Sequence, residues 1–148
     1  MDTIRALKKV TIFKDIPDPA LEVVARAAEE ITIPAGETIV SVTNALYVIR
    51  NGTVRALPEG GNAPPVLFGP GETIGEAPFI DGEPISGTVT ALERVDLLVI
   101  RSGKLADALA GHPEAGYALY RAIARSLAGR LRRAVAMLAF AREREARS

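Results

Sequence analysis

The sequence predicts a mainly β protein (a sandwich, barrel or jelly roll) flanked by helices at both ends. Between residues 31 and 101, short apolar runs alternate with turn residues. Twenty-one of the 23 Gly and Pro residues fall before residue 114. Strong helix formers then fill residues 114–147 almost without interruption. Short strands with regular turn signals build closed or layered β architectures. No segment between them has room for the crossover helix of a parallel α/β sheet. With 148 residues, the expectation is one domain that buries roughly 68–70% of its unfolded surface. Residues 1–30 supply N-terminal helices, 31–101 the β region and 102–148 C-terminal helices.

The elements follow in order. Ile4, Leu7 and Val10 suggest an amphipathic turn or two, and Phe13 and Ile16 precede Pro17. Asp18-Pro19 reads as a helix start, with Asp as N-cap and Pro at the first helical position. Leu21, Val24 and Ala28 continue at helical spacing. Strands are expected over 31–33, 37–42, 46–50, 53–57, 66–68, 73–74, 87–92 and 95–101. Asn51-Gly52, between two apolar runs, predicts a hairpin with a type I′ turn. A short helix over 102–111 ends near Gly111, and Pro113 restarts the chain as a long helix.

Composition narrows the chemistry. There is no Cys and one His, His112. Disulfides, iron–sulfur clusters, thiolate zinc sites and multi-histidine metal centres are therefore excluded. His112 beside Pro113 reads as a helix-junction residue, and no paired-acid motif stands out, so the chain is expected not to be an enzyme. The longest apolar run, residues 134–141, is far short of the ~20 residues of a membrane span. The N-terminus lacks the basic and apolar regions of a signal peptide. A soluble, cytoplasmic chain without a membrane partner is expected.

The formal net charge of +0 is a sum of opposites. Residues 1–113 carry 10 basic and 15 acidic side chains, and residues 114–148 carry 8 and 3. The long helix also bears an apolar stripe: Leu119, Ile123, Leu127, Leu131, Val135, Leu138 and Ala141. At 1.5 Å per residue it would be about 50 Å long, against a diameter near 40 Å for a compact chain of this size. It must bend at Gly129 or project. A projecting stripe would need a cover, and a second copy of the helix about a two-fold axis supplies one, so a homodimer is expected. The alternative is a helix folded back on its own β region.

The most informative segment is Phe68-Gly-Pro-Gly-Glu-Thr-Ile-Gly-Glu-Ala-Pro-Phe-Ile80. Gly75-Glu76 opens a possible helical turn over 77–80, which would expose backbone N–H groups to an anion. A buried carboxylate beside it could accept hydrogen bonds from hydroxyls such as those of a ribose.

The order of a helical N-terminus, Pro34-Ala-Gly-Glu37, Leu46-Tyr-Val-Ile-Arg-Asn-Gly52 and the glycine-rich segment resembles the cyclic-nucleotide-binding domain family. That family includes the sensor domains of catabolite-activator-type regulators and of kinase regulatory subunits. The likeness continues through Gly87-Thr-Val-Thr-Ala91, residues 95–100 and 105–109, and the long helix begun at Pro113, covering nearly the whole chain. It implies a jelly-roll-like β-roll with a phosphate-binding cassette over 75–89. By the same likeness Gly75-Glu76 holds a ribose 2′-hydroxyl through Glu76. Backbone amides of Ala77 and of Ser86-Gly87 hold the phosphate of cAMP or cGMP, and no other cofactor is expected.

The sequence departs from that pattern. Ile85 stands where the family places the phosphate-pairing Arg, a bond that contributes roughly 1.5–3 kcal/mol. Arg55 or Arg130 is the candidate replacement. The loop over 41–44 looks short. No helix-turn-helix follows the long helix, so direct sequence-specific DNA binding is not expected and a stand-alone sensor is. Two functions remain open: a dimeric sensor of a cyclic nucleotide with a degenerate cassette, or a dimeric scaffold that keeps the fold without the ligand and acts on an unidentified protein partner.

Overall fold

The computed structural model describes residues 2–39, 44–60, 64–84 and 87–147. The chain opens with α1 (Asp2–Lys8), a 3-10 turn (Thr11–Phe13) and α2 (Asp18–Ala25). The strands β1 (Ala28–Ile33), β2 (Thr38–Ile39), β3 (Ala45–Asn51), β4 (Val54–Leu57), β5 (Val66–Phe68) and β6 (Thr73–Ile74) lead to a short helix, α3 (Glu76–Asp81). The strands β7 (Thr88–Ala91) and β8 (Val95–Arg101) complete the roll, and α4 (Ser102–Leu109) and α5 (Pro113–Arg147) close the chain. Two antiparallel four-stranded sheets result, in the orders β1-β8-β3-β6 and β2-β7-β4-β5. Among the described residues no helix is long and apolar enough to cross a membrane.

β3 and β8 are buried on both faces, which explains their uninterrupted apolar runs. Leu46, Val48, Leu98 and Ile100 pack outward against Leu7, Phe13, Leu21, Leu105, Leu119 and Ile123 of the helical layer. Tyr47, Ile49, Leu97 and Val99 point the other way, into the roll, and meet Ile39, Val54, Val89 and Ala91 of the second sheet. Burying each large side chain contributes about 1.5–3 kcal/mol. A one-residue slip in either strand would exchange its two sets of contacts, so the register is tightly specified.

Several local expectations are corrected. Asn51-Gly52 does not form a hairpin: β3 and β4 lie in different sheets, and the dipeptide carries the chain between them. Only Gly52 has positive φ there, at 90°. A Cβ at Gly52 would fall well inside contact distance of the Arg94 carbonyl, so close backbone approach, not a type I′ turn, explains the glycine. β1 begins at Ala28, whose antiparallel partner is Ile100, so Ala28 is not helical. α2 starts at Asp18 with Pro17 as its N-cap residue and no side-chain cap. The Asp18 carboxylate instead pairs with Lys8 at 3.0 Å.

α5 runs unbroken through Gly129 for 35 residues, about 52 Å at 1.5 Å per residue. Its first half buries Ala115, Leu119 and Ile123 against the helical core. Every residue from Leu131 to Arg147 is exposed, Leu131 by 65%, Val135 by 56% and Leu138 by 55%. The expected single stripe therefore divides: Leu119 and Ile123 serve the chain's own core, while Leu131, Val135 and Leu138 project with the far half of the helix, which does not fold back.

Candidate ligand site

The site forms where β6 runs into α3. Gly75 is the N-cap residue of α3 with φ 90°, a conformation that a side chain would strain. That turn swings Glu76 inward, and its side chain is fully buried. Isolating a carboxylate from water costs several kcal/mol unless it is compensated. Among the described residues, two groups compensate it. The Thr73 hydroxyl, three residues earlier, donates to Oε1. Arg130, 54 residues later on α5, donates from Nη1 to Oε2 at 2.9 Å and from Nη2 to Oε1 at 3.1 Å. Nη2 also reaches the Thr73 carbonyl at 3.4 Å. This is a forked, charge-assisted pair, among the stronger side-chain interactions.

A second contact ties the same elements. The Phe79 ring of α3 stacks on Tyr120 of α5, with centroids 5.9 Å apart and planes inclined by 24°. Gly87 has φ 103°, and a Cβ there would collide with the Leu57 carbonyl and press on Pro58. The chain entering β7 thus passes directly against the end of β4.

The expected residues are distributed as follows. Gly75, Glu76 and Arg130 come together. Ala77 is exposed on the first turn of α3. Gly87 borders the roll at the start of β7. Ser86 and Ile85 lie outside the described residues, as does most of the 41–44 loop. Arg55 alternates with buried Val54 on β4 and points to the outer face of the second sheet, beside Leu67 and Thr90 in register. It does not join Glu76. Sequence reasoning missed Thr73 and the Phe79–Tyr120 stack. The Thr-x-x-Glu spacing was the one available signal for Thr73.

A two-sheet β-roll, a short helix begun on Gly-Glu and a long C-terminal helix paired to that Glu define a regulatory ligand-binding class of domain. The chain belongs to the cyclic nucleotide-binding domain family, whose model matches residues 30–112. The N-terminal domain of a transcriptional regulator from Streptomyces coelicolor A3(2) is similar in structure, with a TM-score of 0.70 and 31% identity over 84% of this chain and 93% of that one. A cyclic nucleotide-binding domain from Methylobacillus flagellatus shares the fold, with a TM-score of 0.74 and 22% identity over 89% of this chain and 78% of that one. In sequence, a cyclic nucleotide-gated potassium channel of Mesorhizobium japonicum is 31% identical over 109 residues, 71% of this chain. The chain spans 29% of that channel's length.

Proposed function

We propose that the chain is a sensor domain that takes a cyclic nucleotide, cAMP or cGMP, at the α3 end of the roll and reports its occupancy through α5 of a homodimer. The observation that carries this reading is the buried Glu76–Arg130 pair. The pair bonds a buried carboxylate of α3, beside the proposed cassette, to the helix that would transmit the signal. A carboxylate offers about four acceptor positions. Thr73 and the two Arg130 nitrogens use three, which leaves one on Oε2 for a ribose hydroxyl. Gly75 sets the turn, and backbone amides at Ala77, Ser86 and Gly87 are the proposed phosphate donors. Arg130, held by Glu76, is the proposed replacement for the Arg that Ile85 displaces.

Calorimetry with cAMP and with cGMP tests this. Heat of binding that disappears in Glu76→Ala is the expected result, and no heat at millimolar nucleotide would overturn it. One observation favours the scaffold reading instead: the Glu76 carboxylate is compensated within the chain and needs no ligand to satisfy it. In that case the unmodified chain binds neither nucleotide, and Ile85→Arg creates binding.

A further inference from the structure

We propose that the side of α5 turned away from Leu131, Val135 and Leu138 is a docking groove for an acidic amphipathic helix of another protein. A cleft of about 560 Å³ lies between the 3-10 segment and α5. Its floor is apolar, formed by Ile12, Ile16, Ala118 and Ala122, and Gly129 lowers it further along. Arg121, Arg125 and Arg133 line its α5 side. Beyond Arg133 the same helix face continues to Met137 and Phe140, four and seven residues on, exposed by 72% and 62%. At about 100° per residue, Met137 and Phe140 lie roughly 150° around the helix from the stripe of Leu131, Val135 and Leu138. A two-helix association through that stripe leaves them uncovered. The inference uses the proposed dimer only to say which face stays open, and is independent of the cyclic-nucleotide reading.

Charge and shape select the occupant. From Ala118 to Phe140 the groove and its extension run about 33 Å, the length of a helix of roughly 20 residues. Apolar side chains at helical spacing would meet the alanine and isoleucine floor, then Met137 and Phe140. Three arginines beside that track outnumber Asp15 and Glu114, which also line the cleft, and so favour carboxylates on the partner. Nucleic acid fits less well, because a duplex has no apolar side chains for the floor formed by Ile12, Ile16, Ala118 and Ala122. A lipid surface cannot enter a cleft walled on its far side by the 3-10 turn.

The test uses a fluorescent 20-residue Leu/Glu amphipathic peptide and anisotropy. The controls are a Leu/Lys peptide, a Ser/Glu peptide of equal charge, a 20-base-pair DNA duplex and phosphatidylserine vesicles. Saturable binding of the Leu/Glu peptide, at least tenfold tighter than either control peptide, is the expected result. Arg125→Glu with Arg133→Glu should weaken it at least tenfold, as should Met137→Glu with Phe140→Glu. Arg94→Glu, a single charge reversal of the same kind in the β7–β8 turn, should leave it within twofold. All these positions are exposed or line the cleft, and circular dichroism confirms folding of each variant. No binding, equal binding of the Ser/Glu peptide, or unchanged binding in the Arg125/Arg133 variant would overturn the proposal. So would duplex or vesicle binding that is tighter and lost in the same variants.

Discussion

Glu76 is buried, while its partner Arg130 keeps 41% of its side chain exposed, and this asymmetry sets what each substitution does. Arg130→Ala leaves a buried carboxylate with Thr73 as its one partner among the described residues, and should cost about 2–3 kcal/mol. Glu76→Gln with Arg130→Met removes the charge together with its partner and should cost less than the two single changes summed. Urea unfolding of the four proteins in a double-mutant cycle measures the coupling. Additive values would show that the two side chains are merely neighbours. Gly87→Ala is a harsher change, because positive φ and a collision with the Leu57 carbonyl act together. It should cost 2 kcal/mol or more, roughly the sum of strain and displaced backbone. At this scale the sequence was partly legible. Gly75 and Glu76 are adjacent, so their motif can be read directly. Arg130 could be named only as a candidate, because no local periodicity encodes a contact across 54 residues. Thr73 was overlooked because a lone Thr in a two-residue strand resembles any β-former.

Among the elements, the β1–β8–β3 part of the first sheet is laced by one carboxylate. Asp96 on β8 accepts from the Thr32 hydroxyl of β1 at 2.9 Å and from the Asn51 amide of β3 at 3.4 Å. The Thr32 hydrogen bond, followed by the Asn51 bond and the nearby Arg94 and Arg50 charges, holds the Asp96 carboxyl below its usual range. The sign follows from linkage. The unfolded chain binds this proton at an ordinary value of about 4, the folded chain only at a lower one. The contribution is complete above pH 4 and drains away as pH falls through the folded value. Stability of Asp96→Asn should therefore fall less steeply than that of the parent between about pH 5 and pH 2, as read by thermal unfolding across that range. Parallel curves would mean that the carboxylate is unperturbed. Most elements were legible here, since turn residues and apolar runs bracket each strand. The Asn51-Gly52 hairpin was misread because the same dipeptide serves a crossover between sheets wherever a backbone must pass closely. Sequence pattern reports the turn and not which sheet the next strand joins.

For the whole molecule, the zero net charge resolves into an acidic first part (residues 1–113) and a basic helix whose residues from Leu131 to Arg147 are exposed. Residues 114–148 carry 8 basic against 3 acidic side chains, so two such helices brought together repel. The proposed homodimer would therefore rest on the apolar stripe, where each fully covered Leu or Val contributes about 1.5–3 kcal/mol before the cost of association is met. Two consequences separate this from a dimer held by ion pairs. Raising salt from 50 to 500 mM screens the like charges and should tighten the dimer, whereas the acidic peptide proposed for the opposite groove should bind more weakly. Leu131→Glu with Leu138→Glu should give a monomer of 15.7 kDa with an intact fold, because both side chains are exposed within one chain. Sedimentation equilibrium at several concentrations reads both effects, and a melting temperature that rises with concentration in the parent but not in the variant gives an independent check. If the parent sediments as a monomer at high micromolar concentration in both salts, the stripe is not a homodimer seam, and the projecting half of α5 must serve a different surface.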